Sequence, residues 1–262
     1  MHPVSIPYGD SPSQNLDLYL PKQLGKGRSS ERVKPRIPLL IFIHGGAWIG
    51  GDKSSYGAVA TRFANDGLAV ALVNYRLSPA VQNPEHVRDG AKAYSVLVAE
   101  ASKYGYDPER IFLSGHSAGA HNAAMIATGD YLQSANVPAR DLPKGFIGLE
   151  GIYDIPDLQS KFPTYQGWFL EKAFGPDTNW PEASPRRRPI KILAPWLVVQ
   201  STQDTLVDQS QADKFAAHLK EGGVQVTIQS AALGDHDAVV TSMSEMSNQT
   251  ALEILKFIVD KT

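Results

Sequence analysis

The chain has no cysteine among its 262 residues. That excludes a disulfide framework, a thiolate metal site and a cysteine nucleophile, and it fits a reducing compartment. Charge of either sign is not in excess: 25 Lys and Arg stand against 27 Asp and Glu, a formal net charge of −2. There is thus no basic field to hold nucleic acid or an acidic membrane surface. No apolar run approaches the ~18 residues that a membrane span needs. Residues 1–9 lack the basic and apolar regions of a secretory leader. These absences predict a cytoplasmic protein with no membrane and no nucleic-acid partner. Internal repeats are absent too, and the length suits a single domain over 1–262. Monomer and homodimer both stay open.

What the sequence does have is alternation. Leu16–Leu20 alternates apolar and polar residues, as an edge strand with one wet face should. Leu39–Ile43, Ala69–Val73, Ile111–Leu113, Phe146–Leu149, Leu197–Val199 and Val224–Ile228 are short strand candidates, several of them apolar throughout. Continuous apolar character is expected of parallel strands covered on both faces. Helical stretches fall between them, at Tyr56–Asp66, His86–Tyr104, Ala118–Thr128, Gln209–Glu221 and Ser244–Val259. The pattern predicts an α/β protein: a mostly parallel central sheet with helices on both faces. Lys22–Pro38, rich in Gly, Ser, Lys and Arg, reads as a surface loop. Residues 155–190, rich in Pro, aromatics and charge without a clear strand, read as a helical cap insertion.

Two motifs close strands. Ser117 sits in Gly115-His116-Ser117-Ala118-Gly119, after an apolar run and before a helical stretch. This is the G-x-S-x-G elbow in the strand–turn–helix setting that gives it meaning. A β-carbon on either glycine is expected to collide with the adjoining strand or helix. Upstream, His44-Gly45-Gly46-Ala47-Trp48 closes the run Leu39–Ile43. Backbone N–H groups there and at Ala118 are candidate oxyanion donors, with Gly45 and Gly46 allowing close approach of substrate.

With these motifs the chain resembles the α/β-hydrolase superfamily over nearly its whole length, in the branch with a His-Gly-Gly oxyanion motif. The H-G-G-x-W form is similar to that of kynurenine formamidases (arylformamidases), and small carboxylesterases, including isoprenylcysteine methylesterase-like ones, share much of both motifs. The resemblance implies an α/β-hydrolase fold and a catalytic order of Ser, then Asp or Glu, then His, each after a strand. Ser117 is the nucleophile in that order. His236 is the base, since it alone of the seven histidines follows the last strand. Asp204 is the leading acid, with Glu150 and Asp154 as rivals and Asp208 opening the next helix. His116 and His121 read as structural, and His86 and His218 as helix residues without a partner in view.

A serine hydrolase of this kind implies a small-molecule substrate, cleaved through an acyl-enzyme, with no cofactor and no metal. An arylformamidase-like activity (N-formylkynurenine to kynurenine and formate) leads. A carboxylesterase for small or aromatic esters is the alternative, and a non-catalytic ligand-binding protein of the same fold is the alternative of another class. His44, Trp48, Phe162, Tyr165 and Trp168 are the candidate substrate contacts. The aromatic stripe to which Phe162, Tyr165 and Phe169 belong, like Trp168 and Phe174 beside it, reads on periodicity alone as packing of the cap onto the body. Arg186, Arg187 and Arg188 read as a solvated charge run rather than an anion site.

Overall fold

Strands apolar at every position need cover on both faces, and the sheet provides it. The computed structural model describes residues 2–22, 37–232 and 234–261. The expected loop Lys22–Pro38 lies almost wholly outside the described residues. Eight strands form one sheet: β1 (Val4–Pro7), β2 (Asn15–Tyr19), β3 (Ile37–Ile43), β4 (Ala69–Val73), β5 (Tyr106–His116), β6 (Gly145–Leu149), β7 (Trp196–Ser201) and β8 (Val226–Ala232). Their spatial order is β1-β2-β4-β3-β5-β6-β7-β8. β1 and β2 run antiparallel to each other and β2 to β4, and the other pairs are parallel.

The period of two along each strand splits the core into two layers. Leu39, Ile41 and Ile43 of β3 join one buried cluster, while Leu40 and Phe42 join the other. Val87, Ala91 and Tyr94 of α2 (Glu85–Tyr104), the apolar residues of α3 (Ala118–Ala127) and Phe215 of helix Ser210–Glu221 cover the first layer. Val59 and Phe63 of α1 (Gly57–Asn65) and Ile254, Phe257 and Ile258 of helix Gln249–Asp260 cover the second. Helices therefore lie on both faces, as the alternation predicts. No helix of the described residues is long and apolar enough to cross a membrane.

Three expectations shift. β2 is not the edge, because β1 pairs along it, Val4 opposite Leu18. Four residues ending in proline gave β1 too weak a pattern to be read. β8 runs four residues further than expected, and the last helix starts only at Gln249. There the Asn248 side chain accepts from the Ala251 N–H, at 2.9 Å, and fixes the start. The preceding residues instead form short turns, Ala238–Thr241 and Ser242–Ser244.

The strand order places the site. Chain segments leaving β3 and β5 depart to opposite sides, β3 connecting to β4 and β5 to β6. A crevice must open at the C-terminal ends of two such strands. Those ends carry His44 and Ser117. Residues 155–190 form no strand. Helix Ile155–Lys161, a π-helical turn Gln166–Leu170, a helical turn Glu171–Phe174 and shorter turns follow one another, with Phe169 tilted against the buried Trp48 and Phe174 edge-on to it.

Candidate active site

The elbow is as tight as its glycines require. A Cβ on Gly115 would lie 2.3 Å from the Gly119 backbone, and one on Gly119 would lie 2.1 Å from the Ile43 carbonyl oxygen. Only bare backbone lets the turn nest against β3. Ser117 itself has φ 55° and ψ −118°, a strained conformation for a residue with a side chain. It is held there by its own N–H, which donates to Leu149 O at 2.8 Å, and by its carbonyl, which accepts from His121 N at 3.1 Å. Ser117 thereby lines a cavity of about 530 Å³ that His236 also lines.

His236 reaches back to Asp204. Its Nδ1 lies 2.7 Å from Asp204 Oδ2, and a carboxylate can only accept, so Nδ1 carries a proton and the neutral ring has its lone pair on Nε2. The Asp204 side chain is fully shielded. Oδ1 accepts from the Leu206 and Val207 amides at 2.8 and 2.9 Å, and Oδ2 accepts also from Gln200 Nε2 at 3.2 Å. Burial alone would raise this carboxyl, but the hydrogen bonds from His236 and its neighbours outweigh burial and hold it well below the usual carboxylate range. The rivals stand elsewhere. Asp154 is clamped by Arg186 at 2.7 Å and Arg187 at 3.0 Å, while it caps helix Ile155–Lys161 through Asp157 N at 3.1 Å. Glu150 stands beside Asp204 and accepts from Ser201 N–H at 2.7 Å, without a hydrogen bond to the imidazole. Asp208 accepts from Ser210 N at 2.9 Å, at the opening of the next helix.

The oxyanion loop brings a refinement. Gly45 N–H donates to the Tyr56 hydroxyl at 3.3 Å, so this amide already has a partner. Gly46, at φ 117°, turns the chain, and a Cβ there would meet Gly50 O at 2.3 Å. Ala47 and Trp48 follow at φ 51° and 59°. Gly46 and Ala47 line the cavity, which makes their amides the candidates opposite Ala118 at the start of α3.

Tyr56 was not anticipated; no local pattern marks it. Its hydroxyl lies 3.1 Å from His116 Nδ1, while His116 Nε2 lies 2.8 Å from the His236 carbonyl oxygen. Carbonyls accept, so Nε2 carries the His116 proton and Nδ1 accepts from Tyr56. Burial, then the nearby His236, pushes His116 down to about 3, which keeps it neutral. The run Gly45 N–H to Tyr56 to His116 to His236 O thus has one direction throughout. It ties the loop after β3, the elbow and the loop that carries His236 together.

Of the expected substrate contacts, Tyr165 and Trp168 line the cavity, as do Phe169, Ile152 and Leu206. Three expectations are corrected. Trp48 is fully buried, its indole N–H donating to Asn122 Oδ1 at 3.2 Å and its ring edge-on to His121. His44 stacks on Tyr75 inside the core. Phe162 stacks on the outer side of Tyr165 without reaching the cavity lining. The arginine run is corrected too, since two of its three members hold a buried carboxylate. His86 and His218, without partners in the sequence, find Ser78 Oγ at 3.0 Å and Arg188 O at 2.9 Å. His116, His236 and Asp237, and likewise Glu150, Asp204 and His236, bring potential ligand atoms within 4.8 Å. His116 Nε2 and His236 Nδ1 are already engaged as donors, so both groups are parts of a hydrogen-bond network.

Residues 16–219 match the family model described as BD-FAE. The chain belongs to the BD-FAE family. This BD-FAE chain is 30% identical over 243 residues to a probable isoprenylcysteine alpha-carbonyl methylesterase of Oryza sativa subsp. japonica, covering 86% of the chain and 55% of the relative. It is 30% identical over 217 residues to the kynurenine formamidase of Meyerozyma guilliermondii, covering 76% of the chain and 78% of the relative. The chain spans about half the length of the plant methylesterases it matches. Esterase B from Lactobacillus rhamnosis superposes with a TM-score of 0.80 at 21% identity, over 99% of this chain and 85% of that one. The likeness shows the fold, that of an α/β-hydrolase.

Proposed function

We propose that this BD-FAE chain is a serine hydrolase cleaving small, uncharged carboxylic esters, and formamides of like size, through an acyl-enzyme on Ser117. The observation that carries the reading is the 2.7 Å contact between His236 Nδ1 and Asp204, with His236 and Ser117 lining one cavity. His236 Nε2 accepts the Ser117 proton as Oγ attacks the carbonyl carbon. The amides of Ala118 and of Gly46 or Ala47 meet the oxygen on which charge develops, each worth roughly 10²–10³ in rate. The imidazolium, stabilised by Asp204, returns its proton to the leaving oxygen or nitrogen. Water then repeats the sequence on the acyl-serine.

Residues 155–190 roof the cavity in this reading, and Tyr165, Trp168 and Phe169 give the substrate an aromatic wall. Among the described residues the lining holds Asp237 and no Lys or Arg. An amino-acid carboxylate would find no ion partner there, which weighs toward neutral esters. The arylformamide reading is favoured by the 30% identity to a kynurenine formamidase of which this chain covers 78%. The absence of cysteine fits the cytoplasm as its location. The deciding measurement compares kcat/KM for N-formylkynurenine with that for short p-nitrophenyl esters. Turnover of esters alone would set the formamidase reading aside. Failure of a fluorophosphonate probe to label the folded wild type, or equal labelling of Ser117→Ala, would set aside the hydrolase.

A further inference from the structure

A second carboxyl stands behind the candidate catalytic acid. Glu150 follows β6, has no exposed surface and sits at φ 49°, a left-handed backbone that is strained for a non-glycine residue. Its N–H donates to Val199 O at 3.0 Å, and its Oε1 accepts from Ser201 N at 2.7 Å. Oε2 is buried and has no donor to accept from. What it does have is a neighbour of its own kind, because a carboxyl oxygen of Glu150, one of Asp204 and a ring nitrogen of His236 all lie within 4.8 Å of one another. Two buried carboxylates this close offer each other only lone pairs and repulsion, which a proton on one of them relieves. Asp204 accepts from the Leu206 and Val207 amides, His236 and Gln200, all of which favour its anion. Glu150 has far less support, so the proton belongs to Glu150.

We propose that Glu150 is a positioning residue which, as a neutral acid, donates a hydrogen bond from Oε2 to Asp204 and so fixes the carboxylate that orients His236. This rests on the catalytic reading of Ser117, Asp204 and His236. The groups facing Glu150 come from three segments. Ser201 N–H, the Gln200 amide and Asp204 belong to β7 and the loop after it, His236 to the loop after β8, and the unpartnered Tyr153 hydroxyl to its own loop. None carries a positive charge while the imidazole is neutral. Burial first, and Asp204 second, push the Glu150 carboxyl up to about 10, against the pull of the Ser201 N–H. A neutral donor steadies Asp204 without placing a second anion beside the imidazole. An ionised Glu150 would instead strengthen the hold of His236 on its proton.

The test has three arms. Infrared difference spectra of wild type against Glu150→Gln near neutral pH should show a protonated carboxyl band that the variant lacks. Absence of that band from the wild type overturns the proposal, whatever the activity. The second arm is the pH profile of p-nitrophenyl butyrate hydrolysis. Gln can offer Nε2–H to Asp204 and Oε1 to Ser201 N–H, so Glu150→Gln should keep kcat within about threefold and keep the acidic limb in place. A limb displaced downward by about one pH unit would report the loss of a negative charge and overturn the proposal. Glu150→Leu should lower kcat about 10- to 100-fold at nearly constant KM, the loss of a hydrogen bond to a charged group. The infrared arm decides the matter even if that variant does not fold. The third arm is Ser117→Ala: if it still turns over ester, the catalytic reading fails while the protonation state of Glu150 stands on its own spectrum.

Discussion

Ser117 combines a strained backbone with a hydroxyl that gives up its proton reluctantly, and both are tolerable only where the surroundings compensate. Replacing His236 by Ala is expected to lower kcat by roughly 10⁶, and Asp204→Asn by roughly 10⁴, since the latter keeps the ring but lets the amide donate to Nδ1 and favour the tautomer that cannot accept the serine proton. Steady-state kinetics on a p-nitrophenyl ester check both, and near-normal turnover of Asp204→Asn would move the acid role elsewhere. At this scale the sequence was readable where a residue's chemistry depends on its neighbours in the chain. The elbow marks Ser117, and position after the last strand marks His236. Asp204 and Glu150 both follow strands and both carry a carboxyl, so only space separates the residue that touches the imidazole from the one behind it. Tyr56 carried no signal, because its partners Gly45 and His116 lie 11 and 60 residues away.

Loops at the strand ends hold the site, and their connections should be separable from its chemistry. Tyr56→Phe removes both the acceptor for Gly45 N–H and the donor to His116 Nδ1. It is expected to lower kcat about tenfold, by loosening the oxyanion loop, with a modest change in melting temperature. Gly119→Ala should behave otherwise. A methyl 2.1 Å from Ile43 O has no room, so little or no folded protein is expected on expression. Asp154 joins elements instead, since it caps one helix and binds two arginines beyond residue 180. Asp154→Ala is expected to cost about 2–4 kcal/mol in denaturant unfolding. The arginine run looked solvated in sequence because its partner is 32 residues away, across the aromatic segment. The late start of the last helix was equally hidden, since side-chain capping by Asn248 competes with continuous helical pattern.

Across the whole molecule, the two-layer core was the most legible feature. Strands covered on both faces must be apolar throughout, and no tertiary detail is needed to see it. The four-residue β1, exposed along one side, has no such requirement and left no mark. Burial also gives the fold a characteristic response to acid. Burial pushes His86, His116 and His121 down to about 3, 3 and 4, so the native state refuses protons that the unfolded chain binds below about pH 6.5. Their contribution is present above that value and is lost as pH falls through the folded values, about 1.4 kcal/mol per unit and per proton. Glu150, raised to about 10, works oppositely: its contribution declines as pH climbs from the unfolded value toward 10. The melting temperature should therefore be lower at pH 5 than at pH 7, and Glu150→Gln should flatten the decline between pH 7 and pH 9. Scanning calorimetry across pH reads both.

Of four tryptophans, Trp48, Trp180 and Trp196 are at most 3% exposed, while Trp168 is 53% exposed on the cavity wall. Iodide in solution can therefore dim the fluorescence of only one indole. Because that indole stands where a ligand must pass, the protein carries its own occupancy gauge, and a covalent phosphonate on Ser117 should shield the very emission that Trp168→Phe would abolish.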